Sequence, residues 1–229
     1  MAKISVNPGI SDSKMIYAGE YLEMTSEYFR DLAAPRAEYS PALADLKTKH
    51  TAKLAAATAL RPIGIRVKFQ ELVLQDWIGR LAVALQGVDG GRRGATFEAV
   101  MPEGKTMEVK PQGEAQLTAV DLLLNRAVTR GLNTHEALAP IFTSLTAERD
   151  TFAAALAQRA AGEQAEINAQ TALDQSREAF VLAYAKFSNQ IKAIFPRDKE
   201  KHNFLFPDEK RPSRKEDEEE DNAAETAGK

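Results

Sequence analysis

Two stretches of this chain, about a hundred residues apart, follow one pattern, and an internal period of that kind constrains the fold before any other feature. Each stretch opens on a helix start signal, continues as an alanine-rich amphipathic helix to an arginine, and then meets a glycine. The first runs from Ala42 to Arg61, meets Pro62-Ile63-Gly64, and resumes from Ile65 to Gln86. The second runs from Ala137 to Arg159, meets Ala160-Ala161-Gly162, and resumes from Glu163 to Phe195. Arg61 and Arg159 share the offset that separates Gly64 from Gly162. The pattern predicts an all-α fold, a helical bundle of two pseudo-repeated units at about 12–87 and 112–195. In that bundle 40–86 and 134–195 are antiparallel and hide their apolar edges against one another.

The periodicities fill in the elements. Met15, Ala18, Leu22, Thr25, Phe29 and Leu32 form one stripe of a first helix, capped by Ser11, Asp12 or Ser13 and ended by Pro35. Ser40-Pro41 signals the next start, and Pro62 with Gly64 a break. The helix after it, Ile65 to Gln86, carries Phe69, Leu72, Val73, Leu74, Trp77, Ile78, Leu81 and Leu85. It is apolar on most sides and is expected to be the most buried element, with Gly79 kept for the close approach of another helix. Residues 95–100 and 105–109 alternate with period two around Met101-Pro102-Glu103-Gly104, which predicts a short β-hairpin at about 95–110, between the two units.

In the second half, Leu117, Val120, Leu124 and Val128 mark a helix ending near Gly131, and Asn133 or Thr134 caps the next. The last helix holds a heptad seam, Leu173, Arg177, Phe180, Tyr184, Phe187, Ile191 and Ile194. Between its stripes, 159–172 is polar. Either the chain folds back there, or one helix of roughly 60 residues runs through, about 90 Å long; the parallel with Pro62–Gly64 favours the break. The bundle so read is a single domain, 1–196. Residues 197–207, with Phe204, Leu205 and Phe206 before Pro207, are a strap that docks on it, and 208–229 is a disordered acidic tail containing the run Glu216–Asp221.

Charge and composition narrow the function. Residues 197–229 carry 8 Lys/Arg and 11 Asp/Glu, which leaves 22 of each for 1–196. A neutral body lacks the basic field that nucleic-acid binders need, so nucleic acid is not an expected partner. With no cysteine there is no thiolate zinc site, no disulfide and no cysteine nucleophile. His50, His135 and His202 have no ligand at helix-face spacing, and no metal or cofactor is expected. No Gly-x-Ser-x-Gly and no glycine-rich phosphate loop occurs, and no catalytic residue is assigned. A faint helix-turn-helix pattern at 131–149 is opposed by Pro140. No apolar leader or span stands out, and a cytoplasmic protein without membrane contact is expected.

Three groups of residues remain as candidates. Tyr17, Tyr21 and Tyr28 form a second row beside a stripe already wide enough to pack, a candidate partner-binding row. His50, Arg149 and Arg177 fall on core seams, so each arginine must be freed by a gap in packing, paired with a carboxylate, or liganded. Arg92 and Arg93, in the loop from Asp89 to Gly94, are a weak candidate for holding an anion. The expected function is a non-enzymatic structural or protein–protein interaction protein that self-assembles or binds a protein partner. The alternative is a small-molecule binder or enzyme with a site between the two helical units.

Overall fold

A computed structural model describes residues 4–7 and 9–207. The acidic run Glu216–Asp221 and the rest of 208–229 lie outside the described residues. Among the described residues the fold is all-α and contains no strand. Helix α1 spans Asp12–Ser26, α2 Ala33–Val88, α3 Ala95–Val100, α4 Lys105–Val109, α5 Glu114–Thr129, α6 Ala139–Ile194 and α7 Lys199–Leu205. Short 3₁₀ turns at Arg30–Leu32 and Leu132–Thr134 precede α2 and α6. One order of elements, a short helix, a 3₁₀ turn and a 56-residue helix, therefore occurs twice.

The expected breaks at Pro62–Gly64 and Gly162 are absent, and both long helices run through them. The signals that suggested breaks are absorbed locally. Pro35 does not end a helix but sits in the first turn of α2, where its missing N–H would have no acceptor. Pro41 and Pro62 each leave the carbonyl four residues earlier without its helical donor, but Ala37 and Thr58 are both exposed and water can serve instead. Packing supplies the rest. At Gly162 an added Cβ would lie 2.9 Å from Leu60 Cδ1 and 3.5 Å from Ile63 Cδ1, so α2 and α6 press together at the place read as a turn.

The chain divides into two compact units, one built from two separate stretches of the chain and the other from the single stretch between them. The first takes residues up to Ala52 together with those from Thr171 onward. Here Met15, Ala18 and Leu22 of α1, Tyr39, Leu43 and Leu46 of α2, and Phe180, Phe187 and Ile191 of α6 form one buried core. Ser11 caps α1, its hydroxyl accepting from the Lys14 amide. Tyr39 stands against three aromatic rings of α6, with Phe187 5.0 Å away between centroids. The apolar positions of the α6 heptad seam from Leu173 to Ile191 are buried, Arg177 among them is partly buried, and Ile194 leaves the seam. The strap folds as α7 and drives Leu205 into this core, while the Thr25 hydroxyl donates to the Leu205 carbonyl at 3.3 Å.

The second unit is Lys53–Gln170. Its core joins Leu74, Ile78, Leu81 and Leu85 of α2 to Val120 and Leu123 of α5 and to Leu138, Phe142, Leu145 and Phe152 around the start of α6. The predicted β-hairpin is instead α3 and α4. The buried apolar side chains of this segment are Phe97, Val100 and Met101, at a three-then-one spacing that a helical turn satisfies, whereas alternation would set Val100 on the face opposite Phe97 and Met101. Asp89 starts α3 by accepting from the Thr96 and Phe97 amides, and Gly104, with φ 89°, separates the two helices. A polar cluster sits beside them. The Arg126 guanidinium donates to Glu108 at 2.6 Å and to the Val100 carbonyl at 3.1 Å, and the buried Gln116 donates to the Glu108 carbonyl. Gly79 admits the Lys105 ammonium end, 3.1 Å from where a Cβ would stand, and not a neighbouring helix.

Candidate functional site

The most distinctive surface is the outer side of α2, which stays in solvent although Ile65 to Gln86 reads as apolar on most sides and is expected from its sequence to be the most buried element. Leu74, Ile78, Leu81 and Leu85 turn into the second unit's core, at a four-three-four spacing. The other side stays in solvent: Leu54 is 50% exposed, Ile65 70%, Phe69 59%, Leu72 64% and Val83 69%. At 3.6 residues per turn these five lie on one side of the helix. Scattered exposed apolar residues are ordinary, but five on one helix stripe in a single unit form a surface suited to contact. Composition alone did not separate this row from the core row, because both are apolar and interleave along the same segment.

The tyrosine row is a second exposed surface, on the first unit. Tyr17 and Tyr28 are exposed and Tyr21 is half-buried, its ring 6.3 Å from that of Tyr17. Tyr28 stands edge-on to Phe204 of α7 at 5.9 Å, and Met24, one helical turn before Tyr28, is also exposed. The row is thus extended by a side chain from the strap, a neighbour 176 positions along the chain from Tyr28 that spacing within α1 does not show.

The buried-polar candidates resolve into pairs. The Arg149 guanidinium forks onto Asp121, with Nε–Oδ1 and Nη2–Oδ2 both 2.8 Å, and also reaches Asp150. These carboxylates hold it firmly protonated, the Asp121 hydrogen bonds contributing most. Arg177 donates to the Ile10 carbonyl at 2.8 Å and lies 3.2 Å from Asp12, tying α6 to the start of α1. Of the alternatives open for these arginines, both take pairing with a carboxylate. His50 lies half-buried on α2.

The loop candidate is occupied from within. The Asp89 carboxylate sits on the Thr96 and Phe97 amides that an anion would use, and those bonds hold it below the usual carboxylate range, the Phe97 amide foremost. Arg93 stacks its guanidinium 4.8 Å over the Phe97 ring, and Arg92 is exposed. A cleft of about 480 Å³ in the first unit is lined by Tyr184, Ser188, Asn189, Lys192, His202 and Asn203, among others. The buried Tyr184 hydroxyl and His202 Nε2 find no hydrogen-bond partner among the described residues. Burial pushes the Tyr184 phenol up to about 12.

Among the described residues no group of three or more His, Asp or Glu is placed to hold a metal ion, and no helix is long and apolar enough to cross a membrane. No family model matches the chain, and no curated protein and no solved structure matches it.

Proposed function

We propose that this chain is a non-enzymatic structural or interaction protein of the cytoplasm that presents helical surfaces for self-assembly or for a protein partner. The observation that carries this reading is the outer row of α2, where Ile65, Phe69, Leu72 and Val83 stay in solvent on a helix whose opposite side is packed. Large apolar side chains gathered on one helix face are the usual anchors of helix-mediated recognition. The tyrosine row supports it independently, since Tyr supplies a large contact area at a small cost in side-chain entropy. The twice-occurring order of short helix, turn and long helix is consistent with an internal repeat, which would give the two units related surfaces.

The test is affinity capture from the native source with mass in solution measured alongside. Three proteins are compared: the unaltered chain, a variant with Tyr17, Tyr21 and Tyr28 each changed to Ser, and a variant with Ile65, Phe69 and Leu72 each changed to Ser. The reading expects at least one variant to lose a captured protein or to fall in mass. Identical captured proteins and identical masses for all three would end it.

A second reading, a small-molecule binder, draws on the cleft of the first unit, where the buried Tyr184 hydroxyl and His202 Nε2 have no hydrogen-bond partner among the described residues. A bound polar ligand would satisfy both groups. Its test is a thermal-shift screen of small polar metabolites, in which a hit must disappear in Tyr184→Phe and His202→Leu.

A further inference from the structure

The outer row of α2 has a symmetry that an arbitrary contact surface does not need. About the midpoint between Lys68 and Phe69, Ile65 and Leu72 lie equally far on either side, then Arg61 and Asp76, then Leu54 and Val83. All six are exposed, and with Phe69 they share one side of the helix. Two copies of a helix that pair antiparallel about a two-fold axis bring each position against its mirror position, because the interface is one patch facing itself.

On this basis we propose that α2 docks against α2 of a second copy of this chain, antiparallel, with the two-fold axis passing beside Phe69. The proposal rests on the interaction-protein reading and specifies its partner. Ile65 of one copy meets Leu72 of the other, Leu54 meets Val83, and Phe69, half a residue from the axis, lies beside both Phe69 and the Lys68 stem of the other copy. Arg61 of one copy comes opposite Asp76 of the other. Among the described residues Arg61 makes no ion pair within its own chain, while Asp76 holds Arg80 at 2.8 Å. Apolar positions thus face apolar ones and a cation faces an anion, each contact made twice. A foreign helix would match either half of the row as well as the other and would not call for the mirrored order.

The size of the surface sets the strength. From Leu54 to Val83 the row is about 44 Å long, and a helix contact is about 10 Å wide, so the footprint is on the order of 400 Å² per copy before side-chain relief. The total is about 800–1,200 Å², the lower end of specific interfaces, which points to a reversible dimer with a dissociation constant in the micromolar range.

Sedimentation equilibrium of the full chain, from about 1 to about 200 μM at 0.15 M salt, tests this. The unaltered protein is expected to pass from monomer toward dimer over that range. Phe69→Asp is expected to stay monomeric, because it removes the central apolar contact and sets a carboxylate among the apolar side chains beside the axis, whereas Leu182→Asp, a change at an exposed apolar position in the other unit, is expected to dimerise normally. Arg61→Asp and Asp76→Arg are each expected to weaken the dimer several-fold, and the double variant to recover most of the loss. Because the chain has no cysteine, Phe69→Cys gives a direct second readout: mild oxidation is expected to cross-link it much faster than Leu182→Cys. Circular dichroism confirms that each variant is folded.

A dimer unaffected by Phe69→Asp overturns the proposed face and leaves the interaction-protein reading standing. A chain that is monomeric throughout overturns the second copy as partner. If that monomer nevertheless captures another protein, and Phe69→Asp abolishes the capture, the row serves a different partner, and the proposal is equally overturned.

Discussion

The same substitution, Gly to Ala, should have opposite signs at two positions. Gly64 lies inside α2, and a Cβ added there would meet nothing within 4 Å. Removing the backbone freedom of an interior helical glycine is worth about 0.8–1 kcal/mol, so Gly64→Ala should stabilise by close to that amount. Gly19 lies inside α1, where a Cβ would come 2.6 Å from Leu43 Cδ1, 2.8 Å from Phe180 Cζ and 2.9 Å from Tyr39 Oη. Two of those neighbours are rings in a filled core and have little room to give. Overpacking of this kind costs about 1–3 kcal/mol. Three contacts below 3.0 Å put Gly19 in the upper half of that range, about 2–3 kcal/mol, and after the propensity gain of about 1 kcal/mol Gly19→Ala should destabilise by about 1–2 kcal/mol. For a chain of this length each kcal/mol moves Tm by about 2–4 °C. Thermal unfolding followed by circular dichroism reads both changes. Should the two units melt separately, the shift for Gly64→Ala belongs to the unit Lys53–Gln170 and that for Gly19→Ala to the other. A neutral or destabilising Gly64→Ala would mean that α2 breaks at that glycine, and a stabilising Gly19→Ala would mean that α1 does not press against Leu43 and Phe180.

Two further outcomes follow from polar groups in each core. Arg126→Met leaves the nearly buried Glu108 carboxylate without its partner and should cost about 3 kcal/mol in urea unfolding, while the double variant Arg126→Met, Glu108→Gln should recover most of that loss; equal losses in single and double variants would refute the pairing. Burial raises the phenols of Tyr39 and Tyr184, the latter to about 12, whereas an unfolded tyrosine ionises near 10. The folded state therefore holds these protons more tightly, and the associated stability is intact below pH 10 and drains as pH climbs from 10 through 12. Phenolate absorbance followed with helicity should show two of the five tyrosines ionising only as helix is lost, and all five ionising before any loss would contradict the burial.

The helical class and most core positions were legible because apolar spacing survives in the sequence. The seam Leu173, Phe180, Tyr184, Phe187, Ile191 and the stripe Met15, Ala18, Leu22 are buried as their spacing requires. Punctuation was less informative. Pro62, Gly64 and Gly162 carry ordinary breaker chemistry, but the cost of a breaker is a few kcal/mol, and contacts such as Leu60 and Ile63 on Gly162 override it. Residues 95–109 failed for another reason: Ala95, Phe97 and Ala99 alternate over too few residues to outweigh the helical spacing of Phe97 and Val100, and the capping carboxylate, Asp89, lies outside the window. The outer row of α2 was visible as letters but not as a surface. Which of two interleaved apolar rows faces the core depends on where α5 and α6 come to lie, and no local pattern encodes that.

The central structural claim is that α2 is one unbroken helix carrying its exposed row from Leu54 to Val83. Because the chain has no cysteine, spin labels attached through Leu54→Cys and Val83→Cys report directly on it, with labelled protein diluted in unlabelled chain so that only distances within one molecule are read. A continuous helix places the two backbones about 44 Å apart. A dipolar distance distribution centred near that value is the predicted result. A distribution centred near 20 Å, as a fold-back at Pro62–Gly64 would give at the same rise per residue, would contradict the account.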